Sequence, residues 1–152
     1  MVEYESEVID EESFEINFAD AKAYHNRALQ YKDSGQRPSL AFNIASVALE
    51  RYLVAICDLY GESPRNHNYI TLMQDVVKVV EVPKDLIRRI KAMDWIFGIC
   101  SIDEYRHPDP DASDMENVLV LCQEVQKLFN NKRIAAIRHL ASQISEDIVH
   151  SL

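Results

Sequence analysis

Residues 38–61 read PSLAFNIASVALERYLVAICDLYG, and this stretch decides the fold class. Pro38 suits the first position of a helix, because the N–H group that proline lacks has no partner there. Gly61 suits the left-handed position that ends a helix. Between them, apolar residues recur at helical spacing in two rows, which predicts a central helix with several neighbours. The rows are Ala41, Ala45, Ala48, Tyr52, Ala55 and Leu59, and Phe42, Leu49, Leu53, Ile56 and Tyr60.

Helical periodicity continues over the rest of the chain, without the alternating apolar and polar residues of strands. We therefore predict an all-α protein: an up-and-down helical bundle with four core helices, a short third helix and an extra C-terminal helix. Asn17 and Ser113 are the predicted caps of the first and fifth helices, and Ser34-Gly35 is predicted to end the first helix. The predicted helices are about 17–32, 38–60, 68–80, 83–100, 113–129 and 132–149. The predicted buried residues include Ala48, Leu49, Leu53, Ile56, Ile90 and Leu121.

The chain has 152 residues and a net charge of −9, which is unevenly distributed. Residues 1–15 hold seven acids and no base, so the remaining residues carry only −2. We expect residues 1–15 to form a flexible acidic arm, residues 16–130 the bundle, and residues 131–152 the additional helix. A nearly neutral body with an acidic arm lacks the positive surface of a general nucleic-acid binder.

Composition argues against a metal, a cofactor and a membrane location. The three cysteines (Cys57, Cys100 and Cys122) lie far apart in apolar helical stretches without a CxxC motif, so we expect buried free thiols. The five histidines show no metal-binding spacing, and no phosphate-binding glycine motif occurs. The acidic N-terminus is unlike a secretory signal, and no apolar run approaches the roughly 20 residues of a membrane span. A cytoplasmic location is expected.

Short motifs with a fixed order suggest a family. In order and spacing they resemble the HEPN domain, a small helical domain named for nucleotide binding in higher eukaryotes and prokaryotes, over about residues 19–129. Arg106-His107-Pro108-Asp109 is close to the family's Arg-Tyr-Pro-Asp-like loop, although altered. The motifs are Gly35 with Ala41-Phe42; Ala48-Leu49-Glu50; Gly61, Pro64 and His67; and Tyr105-Arg106-His107-Pro108-Asp109.

The family's ribonucleases use an arginine and, four to six residues later, a histidine. The only such pair here is Arg133 and His139, which lies outside the region of resemblance. In those ribonucleases a polar residue usually follows the arginine, whereas the apolar Ile134 follows Arg133 here. The resemblance therefore implies a non-catalytic binding module that is a homodimer or pairs with a nucleotidyltransferase in a toxin–antitoxin-like system. Two alternatives are a metal-independent ribonuclease with a displaced active site, and a scaffold or dimerisation protein.

The predicted ligand site combines two loops that the resemblance brings into play. Arg65, His67, Tyr105, Arg106 and His107 would form a small positive pocket for a nucleotide or RNA phosphate if the loops meet. Alternatively, His67 caps the third helix and Arg106 pairs with a nearby acid, while Glu50 and Arg51 form a solvated pair. Finally, the stripe of the last helix must be buried on its own bundle or on another subunit; it comprises Ile134, Ile137, Ala141, Ile144 and Ile148.

Overall fold

A computed structural model describes residues 9–96 and 109–151, which form seven α-helices and no strand. The prediction of an all-α helical bundle is confirmed for these residues. The predicted fourth helix is two elements in the structure, α4 and α5, separated by a break at Ala92. The helices are α1 (Glu11–Asp33), α2 (Pro38–Leu59), α3 (Tyr69–Val76), α4 (Lys84–Lys91), α5 (Met93–Ile96), α6 (Ala112–Gln126) and α7 (Asn131–His150).

Helix α2 forms the centre of the bundle and contacts α1, α3, α6 and α7. Fourteen of its 22 residues are buried, including every member of the two predicted rows except the half-buried Tyr60. All six residues predicted to lie deepest in the core are fully buried. Among the described residues, α2 is the one helix long and apolar enough to cross a membrane, and 67% of its most apolar stretch is buried within the bundle.

Two glycines set the ends of α1 and α2. Gly35 has a φ of 73° and Gly61 a φ of 77°, the left-handed region that costs other residues energy because of their Cβ atom. After Gly61, the Glu62 N–H donates to the Cys57 carbonyl at 2.9 Å, so a carbonyl of the last turn of α2 keeps a partner. The predicted helix ends at both glycines are confirmed.

The N-terminal boundary was predicted too far along the chain. Helix α1 begins at Glu11, where the Asp10 carboxylate caps it by accepting from the Ser13 N–H at 2.9 Å. Phe14 is fully buried, so residues 11–15 belong to the bundle and not to a flexible arm. Asn17 is an interior helical residue instead of the predicted cap. Residues 1–8 of the predicted arm lie outside the described residues.

Other helix ends also differ from prediction. Helix α6 is capped by Asp111, which forms a reciprocal capping box with Asp114, instead of by Ser113 with Glu116. Helix α3 stops at Val76, before the predicted end at residue 80, and the following Val77 is 44% exposed. Tyr69 and Leu72 are buried on that helix instead. Trp95 of α5 is 55% exposed.

Two of the three cysteines are buried free thiols, as predicted. Cys57 lies on α2, and Cys122 on α6 donates from Sγ to the Ala45 carbonyl at 3.4 Å. Burial raises the pKa of each thiol to about 12, because the charged thiolate is poorly solvated in the core. Cys100 lies outside the described residues.

A polar cluster joins α1 to α2 within the apolar interface. The buried Asp58 carboxylate accepts hydrogen bonds from Ser13 Oγ at 2.9 Å and from Asn17 Nδ2 at 2.8 Å. Asn17 in turn accepts from Arg51 Nη1 at 3.1 Å through its Oδ1. Burial raises the pKa of Asp58, and the two hydrogen bonds oppose this rise by stabilising the charged carboxylate. This chain of bonds fixes the register of α1 along α2.

Helix α7 is buried over its first half only. Ile134 and Ile137 pack against Phe14, Ala55 and Leu59. The stripe then leaves the bundle: Ala141 is half-buried and the isoleucines after it are exposed. The expectation that the whole stripe is buried on its own bundle is therefore wrong for the second half, and burial on another subunit remains a prediction. The exposed apolar residues of this half are Leu140, Ile144, Ile148 and Val149.

Leu53→Ala is expected to destabilise the protein by about 2–5 kcal/mol, because it leaves a cavity at a fully buried position in the central helix. Urea unfolding followed by circular dichroism measures this change. The matched control is Leu40→Ala, at a position that is 38% exposed, where we expect a loss of about 1 kcal/mol or less. Equal losses for the two variants would contradict the assignment of α2 as the core helix.

Asp58→Asn should remove a loss of folding stability that the wild-type protein shows as the pH rises. Because the pKa of Asp58 is raised, the folded protein holds this proton more tightly than the unfolded chain does. Its stabilising contribution is complete below the ordinary carboxyl pKa and is lost as the pH rises through the raised value. The variant should therefore gain stability relative to wild type as the pH rises from below the ordinary carboxyl pKa through the raised value.

The control for this pH series has the opposite sign. Hydrogen bonds from Arg88 and Arg89 lower the pKa of the exposed Asp85, so its contribution is present at neutral pH and lost as the pH falls. Asp85→Asn should thus lose stability relative to wild type as the pH rises through the lowered pKa to the ordinary carboxyl value. Unfolding free energies of the three proteins at several pH values test both signs, and parallel curves would refute the role given to Asp58.

Candidate functional site

A cleft of about 360 Å³ lies between the middle of α2 and the start of α3. Its most polar feature is an imidazole–carboxylate pair: His67 Nδ1 lies 2.9 Å from Glu50 Oε1. Glu50 lies in the middle of α2, and His67 belongs to the segment that leads into α3. The pair therefore connects α2 to the start of α3. The lining residues are Asn43, Ser46, Val47, Glu50, His67, Asn68 and Tyr69.

The start of α3, which forms one wall of the cleft, is held by two side chains. Asn68 caps the helix by accepting from the Thr71 N–H at 2.8 Å. The fully buried Asp94 of α5 accepts from the N–H groups of Tyr69 and Ile70 at 2.9 and 2.8 Å. A carboxylate is stabilised at this position because unpaired N–H groups and the helix dipole make a helix N-terminus positive. Asp94 therefore positions the wall on which Asn68 and Tyr69 lie.

The hydroxyl groups of the cleft are engaged in structural bonds. Tyr69 donates to the Ser46 carbonyl at 2.7 Å, and Ser46 Oγ donates to the Phe42 carbonyl at 2.7 Å. Burial raises the pKa of the Tyr69 hydroxyl, which keeps it protonated and a donor. Both hydroxyls donate to backbone carbonyls, whereas nucleophilic catalysis requires a hydroxyl that is hydrogen-bonded to a general base such as an imidazole.

Hydrogen bonding to Glu50 defines what His67 offers to a ligand. In the neutral ring with Nδ1–H donating to the carboxylate, the other ring nitrogen, Nε2, carries a lone pair and accepts hydrogen bonds; in the protonated ring it donates instead. The cleft then presents this nitrogen, the second oxygen of Glu50 and the side-chain amides of Asn43 and Asn68. Such a set suits a polar ligand that donates hydrogen bonds. Among the described residues, no group of three or more His, Cys, Asp or Glu residues could hold a metal ion.

The structure describes only two of the five predicted site residues. His67 lines the cleft, whereas Arg65 is exposed and does not line it. Tyr105, Arg106 and His107 lie outside the described residues, so the pocket built from two loops stays a prediction. The alternative roles are corrected as follows. Asn68, and not His67, caps α3. Glu50 and Arg51 are not a solvated pair: they bond to His67 and to Asn17, because adjacent helical residues face different neighbours.

The arginine of the only ribonuclease-like pair has a structural contact. Arg133 Nε donates to the Leu59 carbonyl at 3.1 Å, and its guanidinium carbon lies 4.7 Å from the centre of the Tyr60 ring. This side chain thus satisfies a carbonyl in the last turn of α2, which otherwise lacks a helical partner. His139 is exposed, six residues further along the same helix. The described contacts of Arg133 favour a capping role over phosphate binding.

Sequence reasoning missed Glu50 as a cleft residue and Asp94 as its support. Both act across long separations: Glu50 reaches a partner 17 residues away, and Asp94 reaches partners 24 and 25 residues away. A signal for Asp94 was present, because an acid between Met93 and Trp95 is unusual in an apolar stretch. Buried carboxylates are rare unless they are paired, so such a residue points to a specific hydrogen-bond partner.

Asp94→Ala should cost about 1.5–3 kcal/mol of stability, because two N–H groups at the start of α3 lose their charged acceptor. Chemical unfolding measures the loss, and amide exchange should show that α3 opens more readily than α2. The control is Asp85→Ala, an exposed acid in the first turn of α4, where we expect a clearly smaller loss of stability because exposed ion pairs contribute little. If α3 amides exchange at wild-type rates in the Asp94 variant, the supporting role is wrong.

Comparisons with family models, with curated proteins and with solved structures find no match to this chain. The HEPN resemblance therefore rests on the quoted motifs alone, and the functions that it implies stay predictions.

Proposed function

We propose that this protein is a non-catalytic, HEPN-like interaction module that works as a homodimer joined through the second half of α7. The exposed apolar stripe on that half of the helix is the observation that carries the proposal. Leu140, Ile144 and Ile148 are 55%, 59% and 57% exposed, although the same stripe is buried against the bundle one to two turns earlier. Contiguous apolar surface of this kind marks interaction sites on soluble proteins.

The spacing of the stripe suits a helical partner. Ile134, Ile137, Ala141, Ile144 and Ile148 follow one another at alternating steps of three and four residues. This is the heptad spacing that keeps one seam of a helix facing another helix in a coiled coil. The first two positions of the seam are used within the bundle, which leaves the later positions for a second chain.

A second copy of the chain is the partner that this stripe fits most simply. A two-fold axis would place the free half of one α7 against the free half of the other, so both stripes would be buried by one contact. Each isoleucine that is covered in this way would contribute about 1 kcal/mol or more. A helical end of about ten residues is also marginal in isolation and gains stability from packing.

The non-catalytic part of the proposal rests on the contacts of the described polar groups. The hydroxyls of Ser46 and Tyr69 are used in backbone bonds, and Arg133 bonds to the end of α2. The ribonuclease alternative gains no support from these contacts. Degradation of RNA by the purified protein would contradict the non-catalytic assignment.

The resemblance adds partner and ligand classes to the proposal. A nucleotidyltransferase partner in a toxin–antitoxin-like pair is consistent with an exposed helical face, and the cleft beside His67 offers polar groups to a nucleotide or RNA ligand. Burial of α2 within the bundle supports a cytoplasmic location as part of the same proposal.

Titration with nucleotides, followed by the amide signals of residues around His67, tests the ligand class; unchanged signals would reject the cleft as its site.

Replacing Ile144 and Ile148 together by glutamate should convert the dimer to a monomer, because charged side chains cannot be buried in an apolar seam without a large desolvation cost. Both side chains are exposed in the single chain, so the folded monomer should keep its stability. Sedimentation velocity at micromolar concentrations measures the mass.

The matched control adds the same charge to the neighbouring positions of α7. Ser142 and Gln143 are exposed and lie off the stripe, so the Ser142→Glu and Gln143→Glu double variant should stay dimeric. A wild-type protein that sediments as a monomer throughout this concentration range would overturn the proposed dimer.

A further inference from the structure

A second cavity, of about 340 Å³, lies between α1 and α6 over one side of α2. Its floor is made by two buried aromatic side chains, His25 and Tyr52, and its rim by exposed polar residues. The cavity shares no lining residue with the cleft beside His67. The lining residues are Lys22, His25, Asn26, Leu29, Tyr52, Gln123 and Gln126.

The imidazole in the floor has only one of its two nitrogens satisfied. His25 is 6% exposed, and its Nδ1 lies 3.1 Å from the Tyr52 hydroxyl. Its other nitrogen, Nε2, is buried and has no hydrogen-bond partner among the described protein groups. Buried polar atoms in native proteins are nearly always hydrogen-bonded, so an orphan atom beside a cavity points to a partner that is not part of the chain.

Protonation of the pair decides what that partner must be. Burial lowers the pKa of His25 and raises that of Tyr52, so the ring is neutral and the phenol keeps its proton. When the Tyr52 hydroxyl donates to Nδ1, the ring proton of His25 resides on Nε2. The orphan atom is then a donor, and it requires an acceptor.

The rim supplies further donors and one positive charge. Lys22 carries an ammonium group, and Asn26, Gln123 and Gln126 each carry a side-chain amide that donates two hydrogen bonds. No acidic residue is among the residues that line the cavity in the described part of the chain. A volume of about 340 Å³ is near the lower end of the range for small-molecule sites, which limits the ligand to a compact one.

We propose that the cavity between α1 and α6 binds a small oxoanion, either a compact carboxylate or inorganic phosphate, with Lys22 providing the charge and His25 Nε2 a donor from the floor. The side-chain amides of Gln123 and Gln126 on α6 and of Asn26 on α1 would complete the set of donors. Because the donors come from two helices, bound anion would also bridge α1 and α6. This site is independent of the proposed dimer and of the cleft beside His67.

The test uses the full-length protein with ¹⁵N-labelled histidine side chains and three probes: sodium malonate, sodium acetate and inorganic phosphate. Calorimetry gives the dissociation constant, and long-range nitrogen spectra report the ring nitrogens of His25. We expect a saturable change at His25 Nε2 with at least one probe, at low millimolar concentration, and no such change with matched sodium chloride. Malonate and phosphate distinguish an organic from an inorganic ligand.

A pair of lysine variants separates a built site from general charge attraction. Lys22→Gln should weaken binding about tenfold, which corresponds to the loss of one charge-assisted contact. Lys127→Gln, at the exposed C-cap position that follows α6 and does not line the cavity, should change binding less than about twofold. Both variants change exposed positions, so both should fold. Absence of saturable binding by all three probes, or equal weakening by the two variants, would overturn the proposal.

Discussion

The fold depends on the need to cover α2 on all sides. A helix with two apolar rows cannot remain exposed to water along either row, so it imposes neighbours on both flanks. Helices α1 and α6 cover most of its length, while α3 and the first half of α7 complete the enclosure. The long row of alanines in α2 has little side-chain volume, which permits close approach of a neighbouring helix. This requirement places α1, α3, α6 and α7 around α2.

Burial of apolar surface does not specify the orientation of a helix, so polar contacts determine how each neighbouring helix is aligned. Asp58 aligns α1 through Asn17 and Ser13. Asp94 fixes the start of α3. Arg89 of α4 forms two hydrogen bonds to the Glu124 carboxylate of α6, at 2.6 and 2.8 Å. Each contact joins residues far apart in the chain and has defined geometry, which apolar packing alone does not provide.

Local patterns predicted the central helix well and its surroundings less well. The rows of α2 and the turns at Gly35 and Gly61 follow from nearest neighbours, so sequence alone identified them. The start of α1 was missed because only Phe14 marks the added turn as apolar, among many acids. The cap of α6 was missed because several polar residues precede that helix and each is a suitable cap. Pairs such as Glu50 with His67, or His25 with Tyr52, depend on helix packing, which no local pattern contains.

The reactivity of the two buried thiols can report how often the bundle opens. With a pKa near 12, Cys57 and Cys122 carry almost no thiolate at neutral pH, and they lie out of reach of reagents. They are therefore inert while the helices remain packed, which argues against a redox or nucleophilic role for either. Exposure would restore ordinary thiol reactivity at once. Alkylation rates at these two sulfur atoms would thus report how often α2 and α6 separate, without any added probe.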